Sequence, residues 1–124
     1  MKNNKHNLLE LFSAVHNYFS PKIIGEVNDV YVKIAKVQGE DVPWHTHDTE
    51  DELFYVVRGI LTMQMRDRGD VTLTENDFFI VEKGIEHRVY STDECWLMLI
   101  ENKTTKHTGD TASNITKSID EQHY

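Results

Sequence analysis

The stretch GEDVPWHTHDTEDELFYVVRG at residues 39–59 carries the pattern on which the fold and the site both depend. It places His45 and His47 two residues apart, and Glu52 follows five residues later. On an extended chain, residues i and i+2 point to the same face, so both imidazoles can approach one point. A hairpin loop over residues 48–51 would bring Glu52, at the start of the next strand, beside the two rings. The stretch therefore predicts β structure with a cluster of metal-binding side chains.

Alternation of apolar and polar residues on both sides of this stretch indicates further β-strands. Every second residue is apolar in 30–34 and in 61–65. Further short apolar runs occur at 71–73, 78–81, 87–90 and 95–100, with turn-forming residues before or between them at 68–70, 76–77, 83–84 and 91–93. Seven or eight short strands at near-even spacing predict an all-β sandwich or barrel.

The chain divides into three segments. Apolar residues at spacings of three and four predict an amphipathic helix over Asn7 to Phe19, which Ser20-Pro21 ends. We assign residues 1–28 to this helix and its arm, residues 29–101 to the barrel, and residues 102–124 to a polar C-terminal tail. We expect the tail to pack loosely or to be disordered, because Ile115 and Ile119 are its only large aliphatic residues.

Two of the predicted strands are apolar on both faces. Residues 53–57 and 95–100 contain no alternation, so the side of each strand that faces away from the barrel interior must also be covered. The N-terminal helix can cover it, and so can a second copy of the chain. We favour a homodimer.

Composition excludes several classes of partner. With 13 Lys and Arg against 21 Asp and Glu, the formal charge is -8, and simple repulsion disfavours nucleic acid and anionic membrane surfaces. No stretch approaches the roughly 20 apolar residues that cross a bilayer, and the N-terminal residues contain no apolar run of signal-peptide length. We expect a soluble cytoplasmic protein.

The lone Cys95 lies in an apolar run and is expected to be a buried thiol without a chemical role.

A fourth candidate ligand is His87, which begins a later strand after the Lys83-Gly84 turn. Three imidazoles and one carboxylate suit Fe(II), Mn, Ni, Co or Zn, and the lack of thiolates argues against a structural zinc site. The alternative is that residues 47–52 form a solvated charged loop and that the histidines are neighbours by chance. Burying them unpaired is costly, however, and a metal supplies the partner they need.

The remaining acidic residues and histidines receive no role in the site. We expect five neighbouring carboxylates to lie outside the metal cluster: Asp48, Glu50, Asp51, Glu82 and Glu86. The histidines of the terminal segments are expected to be ordinary surface residues: His6, His16, His107 and His123.

These residues resemble a known family. The first motif of the cupin superfamily is matched at every defining position, with its intervals of five, one, four and six residues, by Gly39, His45, His47, Glu52 and Gly59. The second motif is partly matched, with changed glycine, proline and asparagine positions, by Asn76, Glu82, Gly84, His87 and Ser91. We expect Asn76 to adopt the positive-φ turn conformation that the family's glycine adopts.

The resemblance covers residues 30–101 and implies a jelly-roll β-barrel, beside which the spacing of apolar residues predicts the short N-terminal helix. It also implies one divalent metal ion inside the barrel, bound by the residues aligned with the family's ligands: His45, His47, Glu52 and His87. Together with the tail Thr108-Gly109-Asp110, the pattern is similar to small one-domain bacterial cupins often labelled mannose-6-phosphate-isomerase-like.

Four protein ligands leave up to two positions open on a metal that accepts six, which is typical of a reactive site. We therefore expect a metal-dependent enzyme that acts on a small polar organic substrate, either isomerase-like or dioxygenase-like. The alternative is a non-catalytic binding or sensor module for a small ligand. No catalytic residue is assigned, although four residues are placed where a general base could act: Lys33, Tyr55, Gln64 and Arg66.

Overall fold

The computed structural model describes residues 4–109 and 116–124, and within them seven antiparallel strands form the body of the protein. The strands are β1 Lys22–Val27, β2 Val30–Gly39, β3 Glu52–Arg58, β4 Leu61–Met65, β5 Gly69–Leu73, β6 Phe78–Val81 and β7 His87–Asn102. Two short helices accompany them, α1 Leu8–Phe12 and α2 Ile119–Gln122. The predicted all-β fold is confirmed.

The sheet is organised around β7. The strands follow the order β1-β2-β7-β3-β6, and β4 joins β7 to β5. The first residues of β7 pair with β4, and the later residues pair with β2 and β3. The predicted turn at 91–93 is wrong, because β7 continues through these residues as it changes partners. Ser91 is buried at that point, and its hydroxyl donates to the carbonyl of Ile60 at 2.8 Å.

The N-terminal helix is shorter than predicted. It begins after the N-cap Asn7, whose side chain accepts from the backbone N–H of Glu10, and it ends at Phe12. The helix cannot continue to Phe19, because Phe19 has a φ of 54° and its backbone N–H donates to the carbonyl of Lys36 at 2.9 Å. The apolar spacing in this region reflects burial in two different cores instead of one helical face. Strand β1 follows within the segment assigned to the arm.

Two apolar clusters stabilise the fold. The main cluster fills the interior and contains residues of every strand from β2 to β7, together with Phe19. Its buried thiol, Cys95, has a pKa raised to about 12 by burial, as expected for a residue without a chemical role. The second cluster lies on the outer side of the sheet, where Phe12 stacks on Trp96 with ring centroids 4.8 Å apart. The helix therefore covers part of the outer face.

Another part of the outer face stays exposed. Tyr55 of β3 pairs with Phe78 of β6 and with Met98 of β7. Leu53 of β3 likewise pairs with Ile80 of β6 and with Ile100 of β7. Phe78 is 59% exposed and Ile80 is 48% exposed, while the others are half-buried. We call this the outer patch, defined by Leu53, Tyr55, Phe78, Ile80, Met98 and Ile100. Contiguous apolar surface of this kind is typical of an interface, and the homodimer stays a prediction.

The described part of the C-terminal tail, residues 102–109 and 116–124, combines exposed residues with a few buried ones, so it contacts the rest of the protein at separate points. Thr105, Thr108 and Gln122 are buried. Helix α2 begins with a capping box between Ser118 and Glu121. Residues 110–115 lie outside the described residues. Within the described ranges, neither helix has the length or the apolar composition to span a bilayer.

Replacement of Ile80 by Lys tests the role of the outer patch. We expect the wild-type chain to be a dimer at micromolar concentration and Ile80→Lys to be a monomer, because a buried unpaired ammonium is costly. The control is Ile60→Lys, since Ile60 is 58% exposed and lies outside the patch. Size-exclusion chromatography with light scattering gives the masses. A monomeric wild-type chain would contradict the prediction.

Candidate metal centre

The four residues singled out in the sequence converge inside the barrel. His45, His47, Glu52 and His87 are each buried, with no more than 6% of any of them exposed. One ligand atom from each lies within 4.8 Å of the corresponding atoms of the others. The Nε2 atoms of His47 and His87 lie 3.5 Å and 3.6 Å from Oε1 of Glu52.

A short backbone pairing places two of the histidines. The N–H of His45 donates to the carbonyl of His87 at 3.0 Å, and the N–H of His87 donates back at 2.9 Å. The N–H of Gly84 donates to the carbonyl of His47 at 2.9 Å. The segment 45–47 therefore lies beside residues 84–87. The predicted hairpin between this segment and the strand of Glu52 is wrong, because β3 pairs with β6 and β7.

Backbone carbonyls orient the rings of His45 and His87. The Nδ1 of His45 contacts the carbonyl of Pro43 at 2.8 Å, and the Nδ1 of His87 contacts the carbonyl of Ile85 at 2.8 Å. A carbonyl only accepts, so each Nδ1 must carry a proton, and in the neutral form of each ring Nε2 presents its lone pair. This arrangement is typical of metal-ligating histidines.

The protonation states also suit a cation. Burial and the proximity of His87 lower the pKa of His45 to about 4, which keeps the ring neutral near pH 7. Burial opposes ionisation of Glu52, but the neighbouring side chains of Glu101, His47 and His87 outweigh burial and hold the pKa of Glu52 well below its usual range. The cluster therefore combines the neutral ring of His45 with the negatively charged carboxylate of Glu52.

Two buried atoms of the cluster show that it fits a metal ion. Among the described residues, Oε1 of Glu52 and Nε2 of His87 have no hydrogen-bond partner, and such buried polar atoms are costly. An ion with bonds of roughly 2.1 Å holds its ligand atoms no more than about 4.2 Å apart. Side-chain shifts of a few tenths of an ångström would therefore bring all four atoms to one ion.

The comparisons with known proteins agree with this fold and cluster. Residues 34–101 match the Cupin domain family. The chain belongs to this family. It is 35% identical over 97 residues to the uncharacterized protein YdbB of Bacillus subtilis (strain 168), over 78% of this chain and 85% of YdbB.

Solved cupin structures are similar over most of the chain. A cupin-2 domain containing protein from Shewanella frigidimarina is 37% identical with a TM-score of 0.75, over 78% of this chain and 93% of that chain. Protein NMB1881 from Neisseria meningitidis is 30% identical with a TM-score of 0.73, over 80% of this chain and 99% of that chain. In the altered second motif, Asn76 has a φ of 72°, which confirms the expected positive-φ turn.

A polar network lies behind the cluster of this cupin. Glu52 pairs with Glu101 across β3 and β7, and Nζ of Lys33 lies 2.6 Å from Oε1 of Glu101. Burial and the charge of Glu52 raise the pKa of Glu101 well above its usual value, although Lys33 opposes the shift. Lys33 also donates to the side chain of Gln122. The four-residue cluster is therefore connected through buried polar groups to helix α2.

A cavity adjoins the cluster. His45, Glu52 and His107 supply its polar wall, and the rest of the lining is apolar, including Phe19, Val37 and Leu97. Its volume, counted as the space open to the centre of a water molecule, is about 50 Å³, or roughly three to four waters. None of the four residues placed as general-base candidates lines it: Lys33, Tyr55, Gln64 and Arg66.

His107 is the residue that sequence reasoning missed, because it was expected on the surface. The structure places it in the cavity wall, whereas His6, His16 and His123 are exposed as expected. The five neighbouring carboxylates lie outside the cluster as expected. The sequence feature that could have indicated the position of His107 is the Thr108-Gly109 pair beside it. A Cβ on Gly109 would lie 2.3 Å from the carbonyl oxygen of Thr46, so this segment packs directly against the loop between His45 and His47.

Gly109→Ala tests this contact. We expect the variant to lower the free energy of unfolding by about 1–3 kcal/mol, and to weaken metal binding because the loop between His45 and His47 must move. Gly69→Ala is the matched control, since Gly69 also has a positive φ but a Cβ there meets nothing within 4 Å. Urea denaturation and metal titration provide the measurements. Equal effects of the two substitutions would contradict the close approach.

Acidification should destabilise the metal-free protein. The pKa of His45 is about 4 in the folded chain and about 6.5 in the unfolded chain. Between these values only the unfolded chain binds the proton, so the free energy of unfolding falls as the pH falls, by up to about 1.4 kcal/mol per pH unit. Urea denaturation between about pH 7 and about pH 4.5 should give a steeper decline for wild type than for His45→Gln. Identical slopes would contradict burial of a neutral His45.

Proposed function

We propose that this cupin binds one divalent metal ion through His45, His47, Glu52 and His87, and that it is a metal-dependent enzyme for a small organic substrate. Fe, Mn, Zn, Ni and Co all suit a set of three nitrogens and one carboxylate oxygen. The observation that carries the proposal is the buried cluster, whose unpartnered atoms on Glu52 and His87 point to a missing cation.

The metal would supply Lewis-acid polarisation of a substrate oxygen, and iron would also supply redox chemistry. The protein's own residues orient the ligand rings and exclude water. The carbonyls of Pro43 and Ile85 fix the rings of His45 and His87, which keeps the site preorganised. The apolar wall excludes water and restricts how a substrate lies beside the cluster.

An enzyme fits the cavity better than a passive ligand site does. A mostly apolar cavity with a few convergent polar groups is typical of catalytic sites, and His45, Glu52 and His107 converge in this way. A non-catalytic binding or sensor module is the second candidate. The small volume of the cavity favours it, since little room is left for a substrate to change shape.

The residues that line the cavity also restrict the size and polarity of the substrate. Membership of the mannose-6-phosphate-isomerase-like group would suggest a sugar phosphate. However, no Lys or Arg is among the described residues that line the cavity, and a phosphate group ordinarily needs such partners. We therefore propose that an isomerase-like or dioxygenase-like reaction takes place on a substrate that is smaller and less polar than a sugar phosphate.

Ligand substitutions test metal binding. We expect His47→Ala and Glu52→Ala to lower metal affinity by more than about 100-fold, since even a residue outside the coordination sphere costs 10- to 100-fold. His16→Ala is the control, because His16 is exposed. The readouts are elemental analysis after anaerobic purification without an affinity tag, and circular dichroism to confirm folding. A wild-type chain without metal, or a full metal content in both variants, would contradict the proposal.

Turnover separates the enzyme from the binding module. The metal-loaded protein would be incubated with a panel of small phenols, ketones and carboxylic acids, and oxygen uptake and product masses would be followed. A dioxygenase consumes oxygen with substrate, whereas an isomerase gives a product of unchanged mass. Binding without any turnover across the panel would favour the sensor module.

A further inference from the structure

His107 is carried into the cavity by a fixed segment of the C-terminal region. Thr105 and Thr108 on either side of it are buried, and Gly109 lies against the backbone of Thr46. The ring lines the same cavity as His45 and Glu52. Residues 34–101, which match the family, do not include this histidine.

The hydrogen bonding of His107 is opposite to that of two histidines in the cluster. The backbone N–H of Lys117 donates to Nδ1 of His107 at 2.9 Å. Nδ1 must therefore present its lone pair, and the proton of the neutral ring lies on Nε2. In His45 and His87, by contrast, Nδ1 faces a carbonyl and carries the proton. His107 is thus arranged as a hydrogen-bond donor, whereas His45 and His87 are arranged as metal ligands.

The partner of His107 is itself held in place. The side-chain amide of Gln122 donates to the carbonyl of Lys117 at 2.9 Å, and its oxygen accepts from the ammonium of Lys33. Burial and the charge of Lys33 also lower the pKa of His107 to about 4. The ring is therefore neutral near pH 7, with its single proton on Nε2.

We propose that this cavity binds a compact, mostly apolar molecule with one oxygen-bearing end, such as a carboxylate, enolate or phenolate, and that His107 donates a hydrogen bond from Nε2 to that oxygen. The inference deepens the proposed function and rests on it, because the polar end of the cavity is also its metal end. The apolar wall accepts the body of the molecule, and His107 recognises its oxygen.

Two carboxylates of equal size test the ligand class in the cobalt-loaded protein. Isobutyrate has an apolar body, whereas β-alanine carries an ammonium that the apolar wall would leave unpaired. We expect isobutyrate to change the visible cobalt spectrum and to bind at least about 10-fold more tightly than β-alanine. Equal binding, or tighter binding of β-alanine, would overturn the ligand class.

Variants of His107 test the donor. His107→Phe should weaken isobutyrate binding by about 10- to 100-fold, the effect of losing one hydrogen bond to a charged group. His107→Gln keeps an N–H donor and should retain most of the affinity, and His16→Gln should behave as wild type. Cobalt affinity should stay unchanged in all three. Wild-type isobutyrate affinity in a folded His107→Phe would overturn the role of His107.

Nitrogen NMR of the zinc-loaded wild type gives a readout that needs no substitution. We expect a neutral His107 protonated on Nε2 at about pH 7, and a shift of that nitrogen on addition of isobutyrate. A ring protonated on Nδ1, or no response to saturating isobutyrate, would overturn the inference. Failure of the wild-type chain to take up cobalt or zinc would instead overturn the proposed function, and this inference with it.

Discussion

The burial of three imidazoles and a carboxylate at one point in an apolar interior is the constraint on which the rest of the structure depends. Such groups are stable there only with partners, and each partner is supplied by a different part of the fold. The carbonyls of Pro43 and Ile85 hold two rings. The pairing of β3 with β7 sets Glu52 beside Glu101, which in turn contacts Lys33 of β2. Among the described residues, Oε1 of Glu52 and Nε2 of His87 have no such partner, and this is the basis of the proposed metal site.

The N- and C-terminal segments contribute residues to the cavity that the barrel forms. The family match ends at residue 101, yet Phe19 and His107, one from each side of the matched region, line the cavity beside the cluster. The C-terminal segment is joined to the cluster by buried polar contacts through Gln122 and Lys33. Tyr124 also donates to the carbonyl of Leu11 at 2.7 Å, so the two termini are connected to each other. The chain beyond the barrel is therefore part of the site.

The sequence predicted the features that depend on local spacing. Alternation in 30–34 and 61–65 gave the strands, and the interval between His45 and His47 gave two rings on one side of an extended segment. Features that depend on distant contacts could not be predicted in this way. The spacing of apolar residues up to Phe19 imitates a helix, although Val15 and Phe19 belong to different cores. His107 looks like a surface residue because its neighbours are polar, and distant contacts, such as that of Gly109 with Thr46 and that of His107 with Lys117, place it in the cavity wall.

The four-residue cluster comes from the barrel, whereas part of the cavity wall comes from the terminal segments, and this difference indicates where substrate specificity should arise. The cluster of His45, His47, Glu52 and His87 is fixed by strand pairing and by backbone hydrogen bonds, so the proposed metal site would by itself discriminate little between substrates. A fold of this kind supports many chemistries, and function must be argued from the residues around the site. Here those residues include an aromatic ring from the N-terminal segment and a hydrogen-bond donor from the C-terminal segment. Since Lys117 fixes the tautomer of His107 from outside the barrel, the terminal segments set which ligand oxygen the cavity can recognise.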